Sequence, residues 1–96
     1  MRYDFEWDPH KAALNLRKHS VSFARASGIF RDSKAISIAD EEHSETEERW
    51  VTIGLDQSGT ALVVIHTYAQ LDSDQCKIRI ISARRATKNE ILQLLG

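Results

Sequence analysis

The residues best suited to chemistry are arginines, one histidine and one tyrosine, all set along β-prone runs. His66 and Tyr68 lie on Thr60–Tyr68 (TALVVIHTY), on one face with Leu62 and Val64. Lys77 and Arg79 lie on Lys77–Ala83 (KIRIISA), read as sharing a face with Ile81 and Ala83, with Arg84 and Arg85 at the end of the run. Arg49 and Trp50 open Arg49–Asp56 (RWVTIGLD), one on each face. Such a set matches the cleavage of an RNA phosphodiester without a metal. That reaction needs a base for the 2′-hydroxyl proton, cations for the charged phosphorane and an acid for the leaving oxygen. Arginine suits the phosphate through its planar donor fork, and rings such as Trp50 or Tyr68 can stack unpaired bases. Each residue has a plainer reading beside this one. His66 amid Val63–Ile65 fits a hydrogen-bonded core histidine, Tyr68 a packing residue at a strand end, and Arg79 a surface ion pair.

Other chemistries lose their usual supports. The four histidines, at 10, 19, 43 and 66, include no pair at helix-face metal spacing, and Cys76 has no C-x-x-C partner, so neither a metal site nor a cofactor is expected. There is no GxGxxG, no P-loop and no G-x-S-x-G; Gly54 and Gly59 read as strand and turn glycines.

Charge points the same way as the arginines. The net charge is −1, but residues 40–48 (DEEHSETEE) hold six of the fourteen acids and no Lys or Arg, which leaves +5 on the rest. Two stretches contain no acid: residues 10–31 and residues 77–88, with five bases each. Clustered bases suit a polyanion partner, although solvated faces on an ordinary protein would look similar. The acidic segment reads either as a solvated loop, or as a surface for a partner's basic part or a lid docked on the chain's own basic face.

These residues need a scaffold, and 96 residues suffice for one domain. With 42% hydrophobic and 28% charged residues the chain is globular in composition, and no apolar run is long enough to span a membrane. The acidic start MRYDFEWDPH is unlike a secretory signal, and a single cysteine suits a reducing cytoplasm. Arg2–Trp7 alternates as a half-buried strand. Asp8-Pro9 opens a helix to about His19, with Ala12, Ala13 and Leu16 inward and Asn15 outward. Ser20 or Ser22 begins a second helix that ends near Gly28, and Ala35–Ala39 is a short strand. The three later strands, joined by short polar turns, imply an antiparallel meander. Thr87-x-x-Glu90 is a capping box for a C-terminal helix. The order is β-α-α-β-β-β-β-α: an α+β domain with an antiparallel sheet of about five strands, two N-terminal helices on one face and a C-terminal helix, the helices being placed together on one side.

Four segments, FEWDPHKAALNLRKHSVSF, DEEHSETEERWVTIGL, LVVIHTY and IRIISARRAT, resemble in this order the BrnT family, the toxins of a bacterial type II toxin–antitoxin module. The resemblance covers about residues 3–90. It implies a RelE-like ribonuclease fold, metal-independent RNA cleavage that stops translation in the bacterial cytoplasm, and neutralisation by a BrnA antitoxin. It also implies that the antitoxin carries a ribbon-helix-helix DNA-binding domain, that the pair forms a 2:2 complex, and that operator DNA is met only through the antitoxin. At positions matching these segments, Arg49, His66, Tyr68, Arg79 and Arg84 are the catalytic candidates. Trp50, Lys77, Arg85 and Lys88 are the RNA-binding ones. The resemblance departs at the C-terminal helix Asn89–Gly96 (NEILQLLG), apolar where the family's is basic and Tyr-rich, so that Ile91–Leu95 becomes a candidate contact for a second chain. A non-catalytic nucleic-acid-binding domain and an antitoxin-binding interaction domain remain the rival readings, because both would need the same basic surface.

Overall fold

The computed structural model describes residues 2–43 and 47–95. The elements are β1 (Arg2–Glu6), α1 (Pro9–His19), α2 (Phe23–Ser27), a 3-10 turn (Gly28–Arg31), β2 (Ile36–Ala39), a short turn (Glu41–His43), β3 (Arg49–Leu55), β4 (Ala61–Gln70), β5 (Gln75–Arg85) and α3 (Lys88–Leu95). The order is the expected one. Residues 44–46 of the acidic segment, and Gly96 at the end of the expected last helix, lie outside the described residues.

Five strands form one sheet in the order β1-β5-β4-β3-β2. Strands β2 to β5 make the expected antiparallel meander. β1 instead pairs parallel with β5, Tyr3 beside Cys76 and Phe5 beside Ile78, so the sheet is mixed rather than antiparallel. Residue alternation identifies a strand but does not say which edge it joins or in which direction.

The helix starts follow their local chemistry. Asp8 accepts from the His10 N–H and Ser22 from the Arg25 N–H, each filling one of the donors a helix start leaves open. Ser20 closes α1 in the left-handed conformation (φ 57°) and turns the chain into the buried Val21. Val21, Phe23, Ala26 and Ile29 then pack on Leu62, Val64, Cys76, Ile78, Ile80 and Ala83, with Phe5, Trp7, Ala12 and Phe30 at the margin. The approach is close at Gly54, where a Cβ would sit 3.0 Å from that of Ala35 and 3.2 Å from that of Ile29.

α1 presents a different face from the one expected. Ala13 and Leu16 are exposed, and Asn15 is buried. β1 pairs only with Gln75–Arg79, and beyond it Asn15 takes over the edge of β5. Its side chain accepts from the Ala83 N–H at 3.1 Å and donates to the carbonyls of Ala83 (2.9 Å) and Val21 (3.0 Å). A buried backbone amide needs a partner more than the helix needs another methyl group inside.

A bulge resets the faces of β5. Ile65 lies opposite Ser82 and His66 opposite Ile80, which leaves Ile81 unopposed. Cys76, Ile78 and Ile80 face the helices before the bulge, and Ala83 faces them after it. Ala83 therefore does not share a face with Lys77 and Arg79, as strict alternation had required. Arg84 takes that side instead.

α3 lies on the face opposite α1 and α2, not beside them. Thr87 and Glu90 form the expected capping box, Thr87 N–H to Glu90 at 2.7 Å and Glu90 N–H to Thr87 Oγ1 at 3.2 Å. Both Arg84 Nη atoms reach the Glu90 carboxylate, at 2.8 and 2.9 Å, and tie the helix to β5. Leu94 and Leu95 approach Leu55. No helix among the described residues is long and apolar enough to cross a membrane.

Candidate functional site

The sheet separates the expected site residues into two groups. Trp50, His66 and Tyr68 project to the side of α1 and α2, whereas Arg49, Lys77, Arg79 and Arg84 project to the other, open side. Arg85 ends β5 opposite Leu62 and is exposed, as is Lys88 at the first position of α3. The structure does not bring His66 together with the arginines.

His66 is a neutral, fully partnered side chain. It is 3% exposed, with its ring edge-on to Phe30 at 4.8 Å between centroids. Nδ1 lies 3.0 Å from the Thr67 carbonyl, which can only accept, so Nδ1 carries the proton. Nε2 then accepts from the Thr52 hydroxyl at 2.7 Å, and Thr52 accepts from Ser37 at 2.7 Å. Burial lowers the imidazole's proton affinity, outweighing the opposing pull of the Thr67 carbonyl. Tyr68 is half-exposed; burial is also the main reason its phenol holds its proton more tightly than usual. Burial raises the Cys76 thiol in the same way.

On the open face one cross-strand row reads Arg49, Thr67, Arg79, Glu6. Arg49 and Arg79 are thus two strands apart, roughly 10 Å between backbones, near enough for both guanidiniums to reach one phosphate. Arg79 forms an ion pair with Glu47, and Lys77 pairs with Glu6 at 3.5 Å. Lys11 and Asp8 of the α1 start line a small cleft with Arg79 and Ile81. Sequence reasoning assigned Glu47 no role of its own. Its position in the acidic run gave the only signal, through the reading of that run as a lid on the basic face, and Glu47 makes one such contact.

Arg84 has a structural partner. Hydrogen bonds to Glu90 strengthen its hold on its proton, and the same guanidinium is the main cause of a Glu90 carboxyl lowered to about 2. At the same end of the sheet, just beyond β3, Asp56 accepts from Ser58, Thr60 and Arg25. Burial alone would raise that carboxyl, but these donors hold it well below the usual carboxylate range. The Asp56 carboxylate is buried, whereas Arg84 is as exposed as Arg79 but engaged by Glu90 through both terminal nitrogens. Among the described residues no group of three or more His, Cys, Asp or Glu could hold a metal ion.

A small α+β domain with paired arginines on an open sheet face belongs to the class of proteins equipped to meet a polyanion. The family comparison makes this specific: residues 7–90 match the model of the ribonuclease toxin BrnT of type II toxin–antitoxin systems, and the chain belongs to this family. Among solved structures it is similar to the ribonuclease toxin BrnT of Brucella abortus, with a TM-score of 0.64 at 20% identity, covering 92% of this chain and 100% of that one. At that identity the likeness is one of fold. No curated protein gives a match.

Proposed function

We propose that this chain is a metal-independent endoribonuclease whose reaction takes place on the open sheet face. The observation that carries the reading is the Glu47–Arg79 ion pair, which sets a carboxylate beside a cation, in one row with Arg49. Glu47 removes the 2′-hydroxyl proton, O2′ attacks phosphorus, and the P–O5′ bond breaks to leave a 2′,3′-cyclic phosphate. The 5′-oxygen departs with a proton from solvent. Arg79 and Arg49 carry the charge that builds on the phosphate oxygens, with Lys77 extending the cationic path. His66 and Arg84 hold the scaffold; Trp50, Tyr68, Arg85 and Lys88 contact RNA outside the reacting bond.

The family description supports an antitoxin partner. The resemblance supports a BrnA-type chain with a ribbon-helix-helix domain, a 2:2 complex that meets operator DNA through the antitoxin alone, and translation arrest in the bacterial cytoplasm. RNA incubated with the purified protein in EDTA, without antitoxin, tests the reaction. Cleavage that leaves cyclic phosphate ends and is lost in Arg79→Ala and Glu47→Gln is the expected result; intact RNA, or cleavage only when a divalent metal is added, would refute it.

A further inference from the structure

The side of the sheet that carries α1 and α2 holds a second feature, made of rings. Phe30, Trp50, His66 and Tyr68 line a mostly apolar cleft of about 190 Å³. Phe30 also borders a neighbouring hollow of about 590 Å³, with Arg2, Tyr3, Phe5 and Arg31. The larger hollow is within the roughly 300–1,000 Å³ usual for small-ligand sites. Tyr3, Phe5 and Phe30 touch one another at 5.5–6.2 Å between ring centroids and form a continuous wall. Tyr3 and Tyr68 are 39% and 40% exposed, more than a packing role needs. Trp50 and Tyr68 meet no other aromatic ring among the described residues, so their faces are not taken by a partner ring.

The surroundings are cationic. The acid-free stretch 10–31 supplies α1, α2 and the turn that carries Phe30 and Arg31, all on this side. Arg31 makes no ion pair within the described residues. Half-exposed rings beside an uncommitted guanidinium match the two parts of a single-stranded nucleic acid: stacking faces for bases and a cation for the backbone.

We propose that this groove binds the unpaired bases of a single-stranded RNA segment flanking the scissile bond, with Tyr3, Trp50 and Tyr68 as stacking platforms and Arg31 on a phosphate. The inference rests on the reading of RNA as substrate. Arg49 and Trp50, neighbours on β3 that point to opposite faces, mark where the strand passes from the groove to the reacting face. Duplex RNA is excluded from the groove, because its bases have no free faces.

The test uses the full chain, a 12-nucleotide RNA with 2′-O-methyl groups that block cleavage, and the same backbone without bases. The variants are Tyr3→Ala and Arg31→Ala, both outside the proposed reacting set, with melting temperatures checked for each. Expected are binding of the base-bearing strand in preference to the base-free one, quenching of Trp fluorescence, and an affinity loss of about fivefold or more in Tyr3→Ala. Cleavage of a dinucleotide, too short to reach the groove, stays unchanged in both variants. Equal binding of the base-free strand would overturn the groove. So would full RNA affinity in both variants, whether or not they lose complex formation with the co-expressed antitoxin; loss of that complex would mark a protein interface instead. A wild-type chain that neither binds nor cleaves any RNA would fail the functional reading itself, a result distinct from cleavage that persists without groove binding.

Discussion

The two faces of the sheet hold their polar groups differently. On the side of α1 and α2 the polar side chains of Asn15, Thr52 and His66 are buried and satisfied by named partners. The open face carries its charges at the surface. Arg79 and Glu47 are 41% and 37% exposed, and α3 covers only the opposite end, through Arg84 and Leu55. Residues of catalytic type occur on both, so type alone does not locate chemistry. A buried histidine has both nitrogens engaged by protein partners, whereas an exposed guanidinium can exchange its partner for a phosphate.

Removing the Arg79 charge should give the largest functional effect. Arg79→Ala is expected to lower RNA cleavage by about 10²–10³, the usual consequence of losing one preorganised charge-stabilising donor. Its melting transition should move little, since a half-exposed ion pair contributes at most about 1 kcal/mol. A single-turnover cleavage assay beside a thermal melt separates the two effects. Equal losses in both would erase the difference between the faces.

Asn15→Ala is the counterpart on the closed face. It leaves the Ala83 amide and carbonyl and the Val21 carbonyl without their partner, at about 1 kcal/mol for each of three hydrogen bonds. A loss of about 3 kcal/mol, or roughly 12–24 °C in melting temperature for a domain near this size, is expected, with cleavage by the remaining folded fraction unchanged. Chemical denaturation measures it directly.

Acid sharpens the contrast through His66. Because burial lowers its folded-state pKa, the stability it contributes is complete above its ordinary value of 6.5 and is lost as pH falls below that. Melting temperature should therefore decline from about pH 6.5 downward in the parent chain and more gently in His66→Gln. A parent profile flat from pH 7 to 5 would remove the buried-histidine account.

The smallest effect belongs to the strut that holds α3. Glu90 titrates at about 2 in the folded state against an ordinary 4.5, so its contribution is complete above about pH 4.5 and disappears towards pH 2. Arg84 is 41% exposed, so Arg84→Ala should cost only about 0.5–1 kcal/mol in a thermal melt and leave RNA cleavage within a few-fold of the parent. A larger loss of cleavage than in Arg79→Ala would return Arg84 to the reacting centre.

Much of this scaffold was legible in the sequence because its signals are local. Asp8-Pro9, Ser22 and Thr87-x-x-Glu90 mark helix starts through bonds made within three residues. The first and third occur where expected, and the second falls at Ser22, one of the two serines the sequence offered, because Ser20 closes α1. What escaped was decided at a distance. The direction of β1, the inward turn of Asn15 and the side taken by α3 depend on groups up to 68 residues away. The Ile81 bulge is a single extra residue with no mark in the sequence, yet it changes the faces of Ala83 and Arg84. For the same reason the candidate site was legible as a set of residue types but not as a place. Alternation put His66 and Tyr68 on one face, and nothing local says that the arginines share the other with Glu47.

The most direct test compares Arg79→Ala with His66→Gln on the same RNA in EDTA, at equal folded fraction confirmed by circular dichroism. Chemistry on the open face predicts that His66→Gln cleaves within a few-fold of the parent while Arg79→Ala falls by about 10²–10³. Full activity in Arg79→Ala together with an inactive, folded His66→Gln would contradict it and place the reaction under the helices.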